Sequence, residues 1–272
     1  MSDRRFHRYV AIGDSSTEGL DDPDGRGGYR GWANRLAERL AEHHGEVLYA
    51  NLGVRGRRTR EILAEQLAPA LEMKPDLATL FSGTNDVVHR WFDADLVSAD
   101  VESMQRSLIG AGATVLTFTL PDLTPVMPLA RWIRPRVEAL NEGLRRACQA
   151  SGAILVDVAR HPVASDPRLW SEDRLHANAL GHARIAAALW HALGLPGNGE
   201  DWAAPLPVVP RRTVSDAVAA EWRWGTRYLA PWVWRHLRGH SSGDGVSAKR
   251  PTLEPVRDTR RARQESNLRP TA

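Results

Sequence analysis

The apolar positions of this chain alternate between two periodicities as far as about Leu195. Short, nearly continuous apolar runs, partly β-branched, fall at 9–12, 47–50, 77–81, 114–119 and 154–158. Runs of this length without polar alternation suit parallel strands covered on both faces. Between them the spacing becomes that of amphipathic helices. Trp32, Leu36 and Leu40 stand four apart, and Ile62, Gln66, Leu67, Ala70 and Leu71 mark a second stripe. Further stripes occupy 101–108, 137–147 and 185–193. Five strand-then-helix units predict an α/β fold: a doubly wound, three-layer arrangement around a five-stranded parallel sheet with right-handed crossovers.

Past Leu195 the pattern changes. Pro196, Pro205, Pro207 and Pro210 interrupt regular structure and read as a strap along the surface. A helical stripe then resumes at Val214, Val218, Trp222 and Leu229, with Pro231 breaking or kinking it. Trp222, Trp224, Trp232 and Trp234 crowd this segment. The sequence thus divides into a main domain at 1–195, a Pro-rich strap with a Trp-rich helix at 196–240, and a tail at 241–272. The helix is expected to dock its aromatic face on the main domain. The alternatives are a lid over the site, or weak contact with a membrane surface through its Arg and Trp residues. The tail is rich in Ser, Gly, Arg and Pro, with little to bury, and is expected to be disordered.

Composition narrows the function classes. With 272 residues and 42% hydrophobic content the chain can bury a sizeable core. Its formal charge of +3 is small, and acids are interspersed among most of the basic residues. Nucleic-acid binding is therefore not expected. A lone cysteine, Cys148, cannot form an intrachain disulfide. No apolar run approaches the roughly 18 residues of a membrane span, and no apolar leader precedes the first strand. A cytoplasmic location is the expectation.

The chemistry lies at the strand ends. Gly13-Asp14-Ser15 follows the first strand, on the edge where open α/β sheets collect ligands. A serine hydroxyl needs an imidazole to take its proton. His176 is the best base, because Asp173 three residues earlier can hold one ring nitrogen while the other faces the serine. A protonated ring cannot act as a base, so activity should fall below roughly pH 6–7. Two turns between these blocks, Asn51-Leu-Gly53-Val-Arg-Gly56 and Gly83-Thr-Asn85-Asp86, offer donors for a developing oxyanion. The candidates are the backbone amides of Ser15 and Gly56 and the side-chain amide of Asn85. Asp14 and Asp86 read as organisers of their turns, and His89 and His182 as structural or exposed. No metal-ligand spacing is evident, and no cofactor is expected. A rival reading makes residues 13–17 a phosphate cradle at a helix N-terminus, but that loop has no lysine.

An isolated GDS or DxxH is weak, whereas their order along the alternating strands is specific. Over roughly residues 6–193 the four blocks resemble those of the SGNH/GDSL hydrolase superfamily. That resemblance implies a flavodoxin-like fold and metal-free hydrolysis of esters or thioesters by a serine. By motif match it makes Ser15 the nucleophile, Gly56 and Asn85 the oxyanion glycine and asparagine, and Asp173 and His176 the acid and base. Ser16 stands where the family often carries leucine, which loosens any inference to lipase-type substrates. The expected partner is a small-molecule ester. Short acyl and O-acetyl esters are favoured, because no wide apolar groove is evident from the sequence.

Overall fold

The computed structural model describes residues 5–196, 201–208, 221–229, 231 and 243–256. Its sheet runs in the order β5-β4-β3-β1-β2-β6, where β1 is Arg8–Gly13, β2 Leu48–Asn51, β3 Leu77–Phe81, β4 Thr114–Phe118, β5 Ile154–Val156 and β6 Arg250–Pro255. The first five are parallel, with Tyr9 opposite both Tyr49 and Leu77. Strand order reverses at β1: the chain moves to β2 on one side, then returns to β3, β4 and β5 on the other. That reversal opens a crevice at the carboxyl end of β1.

Helices cover both faces. α2 (Gly31–His44) packs with α7 (Ala179–Ala192) in one layer. On the other, α5 (Ala94–Gly110) packs against α3 (Thr59–Glu72) and α6 (Arg134–Ser151). Two short helices, α1 (Ser15–Glu18) and α4 (Thr84–Val87), follow β1 and β3. Trp32 is fully buried and meets Phe118 edge-on, while Phe118 stacks on Phe81 with centroids 4.1 Å apart. This is the α/β architecture expected from the apolar periodicity, with strand positions matched closely.

One element departs from expectation. The sheet has a sixth strand, β6, which pairs antiparallel with β2 and comes from the stretch assigned to a disordered tail. Lys249, just before it, donates to the carbonyls of Tyr29 (2.9 Å) and Arg30 (3.0 Å). Burial pulls this amine down to about 8. The rest of the tail, 241–242 and 257–272, lies outside the described residues, as do Val214, Val218, Trp232 and Trp234. Among the described residues, no helix is long and apolar enough to cross a membrane.

Candidate active site

Ser15 owes its position to a turn that only a narrow set of residues can make. Gly13 closes β1 at φ 155°, where a Cβ would meet Thr17 Oγ1 at 2.2 Å and the Phe81 carbonyl at 2.4 Å. Gln66 fixes this glycine from both sides, accepting from its amide (2.8 Å) and donating to its carbonyl (2.9 Å). Asp14 then caps α1, its carboxylate accepting from the Ser16 amide at 3.0 Å. Because that amide is already taken by a carboxyl group, the turn is a poor phosphate cradle.

Ser15, His176 and Asp173 form a hydrogen-bonded line. Ser15 Oγ lies 2.8 Å from His176 Nε2, and His176 Nδ1 lies 2.5 Å from Asp173 Oδ2. The serine donates to one ring nitrogen, and the other donates to the carboxylate. Asp173 Oδ1 accepts from the amides of Leu175 (2.9 Å) and His176 (3.0 Å) and from Ser171 Oγ (2.5 Å). Arg174, at φ 65°, makes the tight turn that brings acid and base together.

These contacts set the charges. Burial opposes ionisation of Asp173, but the hydrogen bond and charge of His176 hold it well below the usual carboxylate range. Burial likewise disfavours the imidazolium, yet the hydrogen bond and charge of Asp173, then the charges of Asp21 and Asp14, raise His176 above its ordinary value. Asp14, fully buried behind Ser15, is pushed up to about 7 by burial.

Two loops carry the candidate donors other than Ser15. Gly56 stands at φ 77° in the loop after β2. Its neighbour Arg55 donates its amide to Glu18 Oε2 (3.0 Å) and forks its guanidinium onto the same carboxylate, tying this loop to α1. Gly53 permits the approach, since a Cβ there would come 2.8 Å from the Glu18 amide. Asn85 Nδ2 donates to the Arg57 carbonyl at 2.9 Å, with Asp14 Oδ2 at 3.5 Å. The first bond uses one of its hydrogens and fixes the plane of the amide, and the second hydrogen makes only the long contact to Asp14. Ser15, Gly56, Asn85 and His176 line one cleft.

The neighbours assigned structural work have it. Asp86 accepts from the amide (3.0 Å) and hydroxyl (2.8 Å) of Thr59, joining α4 to the start of α3. His182 is fully buried. It accepts from the Trp32 amide at Nδ1 (3.1 Å) and donates from Nε2 to the Leu20 carbonyl (2.9 Å).

Two residues near the acid were not singled out from the sequence. The Ser171 hydroxyl sits between Asp173 and Asp21, 2.6 Å from the latter, and Asp21 Oδ2 lies 3.9 Å from His176 Nδ1. Asp21 stands at φ 64°, a left-handed backbone, and no spacing rule links it to the distant acid loop. Among the described residues, one group of metal-ligand type was found, Asp21 with Asp173 and His176, and its acid and base atoms are bonded to each other.

The GDSL-like Lipase/Acylhydrolase family model matches residues 11–184, most of the chain and every residue of this site. The chain belongs to that family. It is a carboxylic ester hydrolase of the SGNH type. Solved structures share the fold. The hydrolase is similar to TesA (TM-score 0.58, 21% identity, covering 69% of this chain and 98% of the other). It is also similar to a catalytic mutant of Axe2, an acetylxylan esterase from Geobacillus stearothermophilus (TM-score 0.59, 17% identity, 76% and 100% covered). A lipase/acylhydrolase from Enterococcus faecalis gives a TM-score of 0.57 at 22% identity, with 69% and 95% covered. A search of curated proteins found no match.

Beyond Ser15 the hydrolase has a cleft of about 1510 Å3. Much of its lining is apolar, including Phe81, Phe118, Leu123, Met127 and Leu175. Such a groove is not evident from the sequence, because its walls come from segments far apart along the chain. The Trp-rich segment supplies one of them. Trp224 is buried against Met127 and Ala130, while Trp222, which lies on the expected apolar stripe, is 77% exposed. The helix widens to π winding at Gly225–Leu229, so simple helical spacing does not hold through it.

Proposed function

We propose that this hydrolase cleaves carboxylic esters through an acyl-enzyme on Ser15. The observation that carries the reading is the line from Ser15 Oγ to His176 Nε2 (2.8 Å) and from Nδ1 to Asp173 (2.5 Å). Ser15 Oγ attacks the ester carbonyl while His176 Nε2 takes its proton. Asp173 keeps the other ring nitrogen protonated and stabilises the imidazolium. The oxyanion accepts from the backbone amides of Ser15 and Gly56 and from Asn85 Nδ2. Collapse of the tetrahedral intermediate breaks the ester C–O bond, and His176 returns the proton to the leaving alcohol. Water then attacks the acyl-Ser15 ester, again losing a proton to His176, and the acid departs as Ser15 regains its hydrogen.

Hydrolysis of p-nitrophenyl acetate and butanoate tests the reading. Wild type turns both over, and Ser15→Ala loses at least about a thousandfold in kcat, since the remaining site retains only binding and oxyanion contacts. Turnover retained by Ser15→Ala, or none by the wild type, overturns the assignment.

A further inference from the structure

The cleft continues past the reacting atoms, and part of its lining lies outside the region shared with the family. Leu123, Met127 and Ile133 reach it from the connection between β4 and α6, and Leu175 from the acid loop. Trp224 and Tyr228, beyond the family match at 11–184, line it as well. These two are held in place by the acid loop itself. Trp224 Nε1 donates to the Asp173 carbonyl at 3.0 Å, and the Arg174 guanidinium lies 4.7 Å from the centre of an indole ring. Arg174 also bonds Glu221 twice at 2.8 Å, and the Tyr228 hydroxyl donates to Glu172 at 2.9 Å. A surface helix docked elsewhere would leave the cleft open along this edge. Here the extension is fastened at three consecutive residues of the loop that presents the acid.

We propose that residues 224–228 form the acyl-selecting wall of this enzyme, with Trp224 and Tyr228 making the apolar contacts that favour a medium-length acyl chain over acetyl. The inference deepens the ester-hydrolase reading of the same site. An acetyl group attached to Ser15 would leave the half-buried side chains packed on the Met127–Trp224 cluster, Leu123, Ile133, Leu175 and Tyr228, in contact with water. A longer chain displaces that water, and each methylene so buried strengthens binding roughly threefold to fourfold. The indole is both wall and fastening, so substitutions can separate the two roles. Trp224→Phe keeps an aromatic face, though a smaller one, and loses the hydrogen bond to the Asp173 carbonyl, whereas Trp224→Ala removes both face and bond.

Binding of butanoate and octanoate to the full chain, followed by isothermal titration calorimetry, tests this without requiring turnover. Wild type should bind octanoate at least about tenfold more tightly than butanoate. Trp224→Ala and Tyr228→Ala should each lose a large part of that ratio, and Trp224→Phe should retain most of it. A general folding defect would weaken both acids together and leave the ratio unchanged in the remaining folded protein. The inference is overturned if octanoate binds wild type no more tightly than butanoate, or if both alanine variants keep the wild-type ratio. If the ratio behaves as expected while no ester is hydrolysed, the wall stands and the catalytic reading falls.

Discussion

At His176 three acids converge on one ring. Asp173 holds Nδ1 from its own loop, Asp21 lies 3.9 Å away after α1, and Asp14 acts from the cap behind Ser15; buried His182 is the neighbouring base. The ring must be neutral to accept the serine proton, and its pKa is raised. The acid limb of kcat/KM should therefore lie above the ordinary imidazole value of about 6.5, with activity lost as pH falls through the raised value. Asp21→Asn isolates one contribution. Asparagine tolerates the left-handed backbone at φ 64° and still offers Ser171 a hydrogen-bond partner, so the change is chiefly one of charge. Its acid limb should move to lower pH, while the plateau rate stays within about twofold, as a charge removed at a half-exposed site warrants. A limb that does not move would show that Asp21 leaves the ring unaffected.

At the scale of elements, the site depends on a four-residue helix, α1, clamped by loops from its neighbours. Glu18 holds the Gly56 loop through Arg55, and Gly53 lets that loop lie against the α1 backbone. In Gly53→Ala the new methyl would sit 2.8 Å from the Glu18 amide and 2.9 Å from Thr17 Cβ. Backbone cannot yield cheaply there, so about 1–3 kcal/mol of stability should be lost, and kcat should fall with the displaced Ser15. Thermal melts and kinetics on the same sample check both; an unchanged kcat would mean that the clamp does not set the serine. These elements also explain what could be read in advance. The five parallel strands stood out because burial on both faces demands unbroken apolar runs, Ser15 because it closely follows a strand, and Asp173 and His176 because they stand three apart shortly before a helix. β6 did not, since an edge strand such as Arg-Pro-Thr-Leu-Glu-Pro has only one partner and exposes most of its side chains. The cleft did not either, for its walls converge only when the connection after β4, the acid loop and the C-terminal segment fold together.

Across the whole molecule, His182 ties the layers to the site. From α7 it accepts from the start of α2 and donates to the Leu20 carbonyl behind Ser15, so the ring is locked in the neutral form that has its proton on Nε2. Burial lowers its pKa to about 4, against about 6.5 in an unfolded chain. Between those values the folded state binds fewer protons, and the stability His182 contributes at pH 7 is progressively lost as pH falls, by about 3 kcal/mol in full. Asp14 works in the opposite sense. Its pKa is raised to about 7, so the stability its buried charge withholds above pH 7 returns as pH falls towards the unfolded value near 3.8. The two trends offset each other, which makes the wild-type stability curve a poor probe and a difference curve a good one. His182→Asn removes the titrating ring while leaving an acceptor for the Trp32 amide. It should be destabilised at pH 7.5, and by pH 5 the deficit should shrink by about 2 kcal/mol, because the wild type alone has by then lost that part of the imidazole's contribution. Urea denaturation of both proteins at the two pH values measures the difference directly. A deficit that stays constant from pH 7.5 to 5 would mean that His182 is not held neutral, and that the layers are joined at this point by packing alone.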